Sequence, residues 1–144
     1  MRKRLNSQLR KFEGSVKEHG RHVVYDDSLG VPTIAYGRNL QDRGLSEDEA
    51  RYLLSNDIDE TVAAVNERLP WVEDMNSPRR AVVYDMAFNM GMSSFMQFRN
   101  TLRAMKRGKY RRASKRMLKS LWADQVGYRA DELSDQMRTG KWQT

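Results

Sequence analysis

The sequence predicts a mainly helical α+β fold, in which a small N-terminal lobe with a short antiparallel sheet is joined by a long helix to a larger C-terminal helical lobe. Three observations predict it: two short β-rich runs near the start of the chain, a long helical pattern behind a capping box, and shorter helical patterns separated by glycine. A length of 144 residues is enough to bury most of a core in a single unit. We therefore expect one domain over residues 1–144.

The first element is a short amphipathic helix. Leu5, Leu9 and Phe12 recur at helical spacing and Gly14 follows directly, which predicts a helix over about residues 3–13 that stops at the glycine. The residue before that glycine is a glutamate, so a carboxyl group stands in the last helical turn. We assign this helix to the helical lobe, although it precedes the β-containing lobe along the chain.

Two short β-rich runs come next. Val23–Tyr25 and Thr33–Tyr36 are rich in β-branched and aromatic residues, and the segment between them is rich in Asp, Ser and Gly. This pattern predicts an antiparallel hairpin or a small sheet. We expect the β-containing lobe to occupy about residues 14–45.

A long helix is predicted to follow. Ser46 and Glu49 form a capping-box signature, and Leu45 is placed as the apolar residue that precedes it. Apolar residues then continue at helical spacing until Pro70 ends the pattern. A helix over about 46–69 is long enough to connect two lobes.

The remaining residues, about 70–144, predict a helical lobe. Ser77 and Pro78 are typical of an N-cap and a first helical position, and the segment that they open is apolar on nearly all sides until Gly91. We expect this segment to be the central buried helix. Three shorter helices should follow, with Gly108 and Gly140 as stops, over Gln97–Lys106, Tyr110–Leu121 and about Tyr128–Met137.

Composition excludes several classes of protein and site. The chain has no cysteine, so disulfides, thiolate metal sites and cysteine nucleophiles are excluded. His19 and His22 lack the helical spacing of a metal pair, and we expect them on the surface, with no metal and no cofactor. No apolar run is long enough for a membrane span, and the segment MRKRLNSQLRK is polar where a signal peptide would be apolar.

The net charge of +7 is concentrated in one segment. Arg99–Lys119 contains ten basic residues and no acidic residue. Such a segment favours binding to any polyanion, such as nucleic acid, anionic lipid headgroups or the phosphates of a bacterial envelope. Charge alone does not distinguish among these partners.

The residues that best fit a chemical function are Glu13, Asp27 and Thr33. They place one carboxyl at a helix C-terminus, a second in a turn, and a hydroxyl on the strand that follows. Glycoside hydrolysis needs such a pair, because one carboxyl protonates the leaving oxygen while the other activates water. Thr33 offers a second acceptor for that water. Asp26 is the nearest rival of Asp27, and we expect it to support the turn.

At these positions the sequence resembles the phage lysozymes of the T-even endolysin family, whose signature is E-G, then Y-x-D-x-x-G, then T-I-G-x-G-[HR]. The matching segments here are Phe12–Gly14, Tyr25–Gly30 and Thr33–Arg38, with Ala35 in place of the usual glycine. Later segments, such as SEDEARYLLSNDI and SPRRAVVYDMAFNMG, are similar to the long and central helices of that family. The resemblance covers nearly the whole chain, which makes it far more specific than any lone motif.

The resemblance implies hydrolysis of the β-1,4 bond between N-acetylmuramic acid and N-acetylglucosamine in peptidoglycan, with inversion. Glu13 would be the acid, while Asp27 and Thr33 would hold the attacking water, with the two carboxyls roughly 6.5 to 9.5 Å apart. In the best-known family member an acid–base pair bridges the mouth of the cleft, and the matching positions here are Leu29 and Leu121. Any closure of the cleft in this protein should therefore rely on apolar contact. The positions that would contact substrate are Leu29, Phe88, Asn89, Phe98, Asn100 and Trp122.

Alternatives remain for the acid and for the function. The interval from Glu13 to Asp27 is longer than is usual in the family, and Glu18 stands at about the usual separation from Asp27. We favour Glu13 as the acid because it keeps the E-G motif and ends a helix. The extra residues 15–20 would then form a hairpin extension. The alternative functions are a lytic transglycosylase, an inactive wall-binding relative and, more distantly, a basic nucleic-acid-binding protein.

The same resemblance sets the expected partners and location. Peptidoglycan is the expected partner, and Arg99–Lys119 could add anionic envelope polymers. Nucleic acid is not required, and we expect a monomer. As an endolysin without a visible export signal, the protein would accumulate in the host cytoplasm before lysis and act on the periplasmic cell wall.

Overall fold

Helices dominate the computed structural model, which describes residues 1–143. The helices are α1 (Arg2–Glu13), α2 (Glu47–Arg68), α3 (Ser77–Met90), α4 (Met92–Phe95), α5 (Arg99–Lys106), α6 (Tyr110–Leu118), α7 (Leu121–Val126) and α8 (Tyr128–Thr139), with a 3-10 helix over Pro70–Asp74. Five short strands, all paired antiparallel, precede α2. The predicted fold class, mainly helical α+β with a small antiparallel sheet, is confirmed. No helix among residues 1–143 is both long enough and apolar enough to cross a bilayer.

The chain divides into two compact units at the boundary between Tyr52 and Leu53. The first unit contains α1 and all of the strands, and the second contains α3 to α8, while α2 runs across the boundary. Leu5 and Leu9 of α1 are 43% and 47% exposed, and no residue of this helix is buried. The expected division into a lobe over 14–45, a connecting helix and a helical lobe that includes residues 3–13 stays a prediction.

The first unit contains two small sheets. Strands β1 (Lys17–Glu18) and β2 (Arg21–His22) form a hairpin, and the two residues of its turn have positive φ. Strands β3 (Tyr25–Asp26), β4 (Pro32–Ile34) and β5 (Arg38–Asn39) form a second sheet in that order. The hairpin extension predicted for residues 15–20 therefore forms, but its strands span residues 17–22.

The two predicted β-rich runs do pair, but over shorter and shifted segments. Strand β3 starts at Tyr25, and its partner β4 ends at Ile34 instead of continuing to Tyr36. The chain leaves the strand there because Ala35 takes a φ of 55°, in the left-handed region that ends extended structure. The sequence pattern therefore predicted the two paired strands correctly but placed the strand ends incorrectly.

The predicted capping box forms at the start of α2. The Ser46 hydroxyl accepts a hydrogen bond from the Glu49 N–H at 3.2 Å, and the Glu49 carboxylate accepts one from the Ser46 N–H at 3.0 Å. These reciprocal bonds satisfy donors that a helix N-terminus otherwise leaves unpaired. At the other end, Pro70 opens the 3-10 helix where the long helix was expected to stop.

The hydrophobic core lies in the second unit, around α3. Val82, Val83, Met86 and Ala87 are all buried, as predicted for the central helix. Flexible methionines fill much of the space around them, since Met86, Met105, Met117 and Met137 are at most 1% exposed. Helix α3 therefore holds its neighbours by apolar packing.

Three of the predicted helix boundaries are wrong, the first of them at α5, which begins at Arg99 instead of Gln97. The N-cap of α3 is Asn76, whose side chain accepts from the Arg79 N–H, rather than Ser77. The helix expected over Tyr110–Leu121 ends at Leu118, because Ser120 adopts an extended conformation and its hydroxyl caps a new helix, α7. A serine at the N-cap was the available signal for this break.

Arg79 makes the contacts that join the N-terminus of α3 to the C-terminus of α8. Its guanidinium donates to the Met137 carbonyl at 2.8 Å and to the Arg138 carbonyl at 3.1 Å, and it lies 3.7 Å from the centre of the Tyr110 ring. Cations at a helix C-terminus are favourable, and the last carbonyls have no intrahelical donors. Arg79 therefore closes the C-terminal end of α8 from a position in the first turn of α3.

Replacing Arg79 with alanine should lower the free energy of unfolding by roughly 2 to 4 kcal/mol, since two charged hydrogen bonds and a cation–π contact are lost. The matched control is Arg80→Ala, because Arg80 donates only to the Ser77 hydroxyl of its own helix turn. Urea unfolding measures both variants. Equal losses in the two variants would contradict the capping role.

Candidate active site

Glu13 is the last residue of α1, and its carboxyl group lies against the backbone of Gly37. A Cβ atom built on Gly37 would stand 2.9 Å from Glu13 Oε2, closer than real Cβ contacts, and 3.3 Å from its Cδ, which is also tight. Gly37 also has a φ of 81°, which favours glycine. The absence of a side chain at residue 37 therefore lets the Glu13 carboxyl occupy its observed position, and an added Cβ would displace it.

Asp27 organises the turn between β3 and β4. One of its carboxylate oxygens, Oδ1, accepts from the Leu29 N–H at 2.8 Å and from the Val31 N–H at 2.9 Å. These bonds fix the orientation of the carboxylate and leave Oδ2 outside the turn's hydrogen bonds. Asp26, which we expected to support the turn, instead lies exposed in β3 opposite Pro32, so that expectation is wrong.

Thr33 lies in the middle of the three-stranded sheet, paired with Tyr25 on one side and Asn39 on the other. It is 4% exposed and is the only buried residue of the first unit. Its hydroxyl donates to the Val31 carbonyl at 2.9 Å. Because that bond uses the hydroxyl hydrogen, the oxygen keeps its lone pairs for accepting another donor.

Val31 connects the last two candidate residues. Its N–H donates to the Asp27 carboxylate and its carbonyl accepts from the Thr33 hydroxyl, so both side chains are supported by the backbone of the same residue. Sequence reasoning overlooked Val31, which acts only through its backbone, and it included Gly37 in the motif without foreseeing its contact with Glu13. The glycine of the T-I-x-x-G motif was the available signal for that contact.

Arg38 anchors the strand that follows Gly37. Its guanidinium forms a two-pronged ion pair with Glu49, at 2.6 and 2.9 Å, and also donates to the Gly44 carbonyl at 3.2 Å. The hydrogen bonds from Arg38, and then those from Ser46, lower the pKa of Glu49 to about 2 from its ordinary 4.5. The position of Gly37 is thereby tied to the first turn of α2.

Three of the predicted substrate-binding residues line one recess of the second unit. Trp122 donates from its indole nitrogen to Asn89 Oδ1 at 2.9 Å, and the Phe98 ring meets the Trp122 ring edge-on with centroids 6.5 Å apart. The recess has a volume of about 670 Å³. The lining also includes polar residues that sequence reasoning missed, namely Ser94, Gln97 and Gln125.

The other candidates lie elsewhere. Phe88 is 41% exposed and lies beside Leu54 and Ile58 in a separate apolar groove, and Asn100 is exposed in the first turn of α5 outside this recess. Leu29 is 86% exposed at the tip of the Asp27 turn. Glu18, the alternative acid, is exposed in the β1–β2 hairpin.

The histidines are not grouped as a metal site. His22 is half-buried instead of exposed, since it bonds to the Ser15 hydroxyl and its ring meets the Tyr36 ring edge-on, 5.2 Å between centroids. His19 occupies the hairpin turn. Among residues 1–143, His, Asp and Glu side chains form no group of three or more that could hold a metal ion.

One known protein family matches most of the chain. The family model described as phage lysozyme matches residues 10–136, a span that includes Glu13, the Asp27 turn and the recess around Trp122. The chain belongs to the phage lysozyme family. As a phage lysozyme it is a peptidoglycan-hydrolysing endolysin with glycosidase-type activity, and peptidoglycan is its substrate.

In this lysozyme, Gly37→Ala should reduce activity more than stability. The added methyl group would displace the Glu13 carboxyl, and a misplacement of about 1 Å in a catalytic group costs roughly 10²-fold in rate. The matched control is Gly20→Ala, which has a similar positive φ of 76° but nothing within 4 Å of the added methyl. Both should lose about 1 to 2 kcal/mol of stability, and only Gly37→Ala should lose activity. Turnover measured beside urea unfolding separates the two effects.

The Arg38–Glu49 pair predicts a pH-dependent contribution to stability. Because the folded pKa of Glu49 is lowered, the pair stabilises the protein above the ordinary carboxyl pKa, and this contribution is lost as pH falls towards about 2. Glu49→Gln should therefore be less stable than wild type at neutral pH, and the difference should shrink between about pH 5 and about pH 2. A constant difference across a urea-unfolding series in pH would disprove this.

Proposed function

We propose that this phage lysozyme is an inverting muramidase that cleaves the β-1,4 bond between N-acetylmuramic acid and N-acetylglucosamine. The observation that carries the proposal is the contrast between its two carboxyl groups. Asp27 is held by two backbone N–H donors, whereas Glu13 is exposed at the end of a helix with its carboxyl against a glycine. A fixed carboxylate suits the activation of water, and an accessible carboxyl suits proton donation.

In the proposed reaction, Glu13 donates its proton to the glycosidic oxygen as the bond to the anomeric carbon breaks. A water molecule attacks the opposite face of that carbon and gives one proton to Asp27 through Oδ2, the oxygen not used by the turn. Thr33 accepts a hydrogen bond from the same water, since its own hydrogen is directed to the Val31 carbonyl. Inversion follows because water enters opposite the leaving group.

We also propose that the recess lined by Asn89, Phe98 and Trp122 contacts the substrate. Aromatic rings provide flat apolar surface for sugar rings or acetyl groups, and the amide of Asn89 is oriented by the Trp122 bond, which leaves its NH₂ group free to donate. Gln97 and Gln125 add further amides in the same recess. Polar groups converging on an apolar floor are typical of small-molecule sites.

The products of digestion test the mechanism. Wild-type enzyme acting on purified peptidoglycan in ¹⁸O-labelled water should release muramic acid ends that carry one label and appear first as the α-anomer in a rapid NMR spectrum. The β-anomer as the first product would disprove inversion. Unlabelled anhydro ends would instead identify a lytic transglycosylase, which needs an acid but no attacking water.

A further inference from the structure

The exposed face of helices α5 and α6 carries an unbroken positive charge, and we call this face the basic surface. It consists of the ten basic side chains of Arg99–Lys119, all of them exposed. Within residues 1–143, none of these side chains forms an ion pair, whereas Arg38, Arg51, Arg129 and Arg138 do. The positive field of this surface is therefore not neutralised within the described chain.

The inner faces of α5 and α6 stabilise the fold, and the charged side chains on their outer faces are not needed for this packing. Leu102, Met105, Ala113 and Met117 turn inwards and are buried in the core, so the apolar halves of α5 and α6 provide the stability. Like charges gathered on the outer halves repel one another and lower stability. A bound polyanion would supply the missing opposite charge.

The turn between α5 and α6 forms the concave part of the basic surface. Lys109, Arg111, Arg112 and Lys115 line a recess of about 540 Å³ together with Tyr110 and Gly108. Arginine can hold a phosphate group by two parallel hydrogen bonds, and lysine adds a mobile point charge. Four cations around one recess favour a ligand with closely spaced phosphates.

The surface lacks the features that nucleic-acid bases or a membrane interior would need. Tyr110 is the aromatic residue of the segment, and its ring is covered by Arg79 on one side while it packs on the core. Tyr110 is half-buried, and it offers bases only part of one ring on which to stack. Leu118 is the sole large apolar side chain exposed in this segment, too little to anchor a helix in a bilayer.

We propose that the basic surface binds phosphate-bearing polymers of the bacterial envelope, with Arg111, Arg112 and Lys115 at the centre of the site. The choice of envelope polymers rests on the proposed function, because the substrate lies among them. Binding there would hold the enzyme close to its substrate without contributing to bond cleavage.

The test measures binding of the full-length protein to poly(glycerol phosphate) over a series of salt concentrations. The test variant combines Arg111→Glu, Arg112→Glu and Lys115→Glu, and the matched control combines Arg2→Glu, Lys3→Glu and Arg4→Glu, exposed residues at the start of α1 with the same total change in charge. The test variant should bind at least about tenfold more weakly at low salt and show a shallower salt dependence, while the control should stay within about threefold of wild type.

Three outcomes would overturn the proposal. Equal weakening of both triple variants would show that only net charge matters. Wild-type binding to vesicles of phosphatidylglycerol and phosphatidylcholine, but not to the polymer, would identify a membrane-surface site. Binding to double-stranded DNA without binding to the polymer would identify a nucleic-acid site. A glutamine version of the test variant, Arg111→Gln, Arg112→Gln and Lys115→Gln, checks the result if charge reversal disturbs folding.

Activity on peptidoglycan stripped of phosphate polymers separates this inference from the proposed function. The test variant should hydrolyse stripped peptidoglycan at the wild-type rate, because its substitutions lie far along the chain from Glu13 and Asp27. Normal hydrolysis without polymer binding would reject only the polymer site. Polymer binding with no muramidase products would reject only the proposed reaction.

Discussion

Glu13→Gln is expected to lower peptidoglycan hydrolysis by roughly 10³-fold, within the range known for loss of a general acid. Glutamine has nearly the same shape and can keep the contact with Gly37, but it cannot donate a proton to the glycosidic oxygen. Glu13 is exposed, so the free energy of unfolding should change by no more than about 0.5 kcal/mol. Turbidity clearing of purified peptidoglycan gives the rate.

Glu18→Gln is the matched control for this substitution, because Glu18 is the alternative acid. It is exposed in the β1–β2 hairpin, and the variant should keep nearly all of its activity. The opposite pattern, with activity lost in Glu18→Gln and retained in Glu13→Gln, would assign the acid to the hairpin. The Gly37 contact would then be only structural.

Asp27→Asn should lower hydrolysis by roughly 10²- to 10³-fold while leaving the fold intact. The asparagine side chain keeps an oxygen that can accept from the Leu29 and Val31 N–H groups, so the turn should persist. What the variant loses is the charge that draws a proton from the attacking water. A steady-state assay on soluble peptidoglycan fragments would show the loss in kcat rather than in KM.

Two further substitutions separate chemistry from structure at Asp27. Asp27→Ala removes both turn hydrogen bonds and should lower the free energy of unfolding by about 1 to 3 kcal/mol in addition to the loss of rate. Asp26→Asn changes the exposed neighbour in β3 and should behave as wild type. If Asp26→Asn lost activity and Asp27→Asn did not, Asp27 would serve only the turn.

Signals that act within a few residues were predicted well from the sequence. The capping box of Ser46 and Glu49, the glycine that ends α1 and the apolar central helix all form where the pattern placed them, because caps and helical periodicity depend on neighbours in the chain. Errors occurred at boundaries, as at Ser120, where one capping side chain outweighed a continuing helical pattern.

The arrangement of side chains from distant segments was predicted less well. Phe88 and Asn89 are adjacent on α3, and both were expected to contact substrate, yet they line different depressions. Successive residues of a helix point about 100° apart, so adjacent residues rarely share a face. The rotation of α3 against α7 decides which of the two meets Trp122.

The sequence by itself determined the fold class, the family and the order of the candidate residues, because periodicity, caps and motifs are properties of short segments. Only the tertiary structure decided that the Glu13 carboxyl rests on Gly37, that Arg79 caps α8, and that Val31 supports both Asp27 and Thr33. Such contacts join segments whose distance depends on how whole elements pack, and no local pattern of residues encodes that distance.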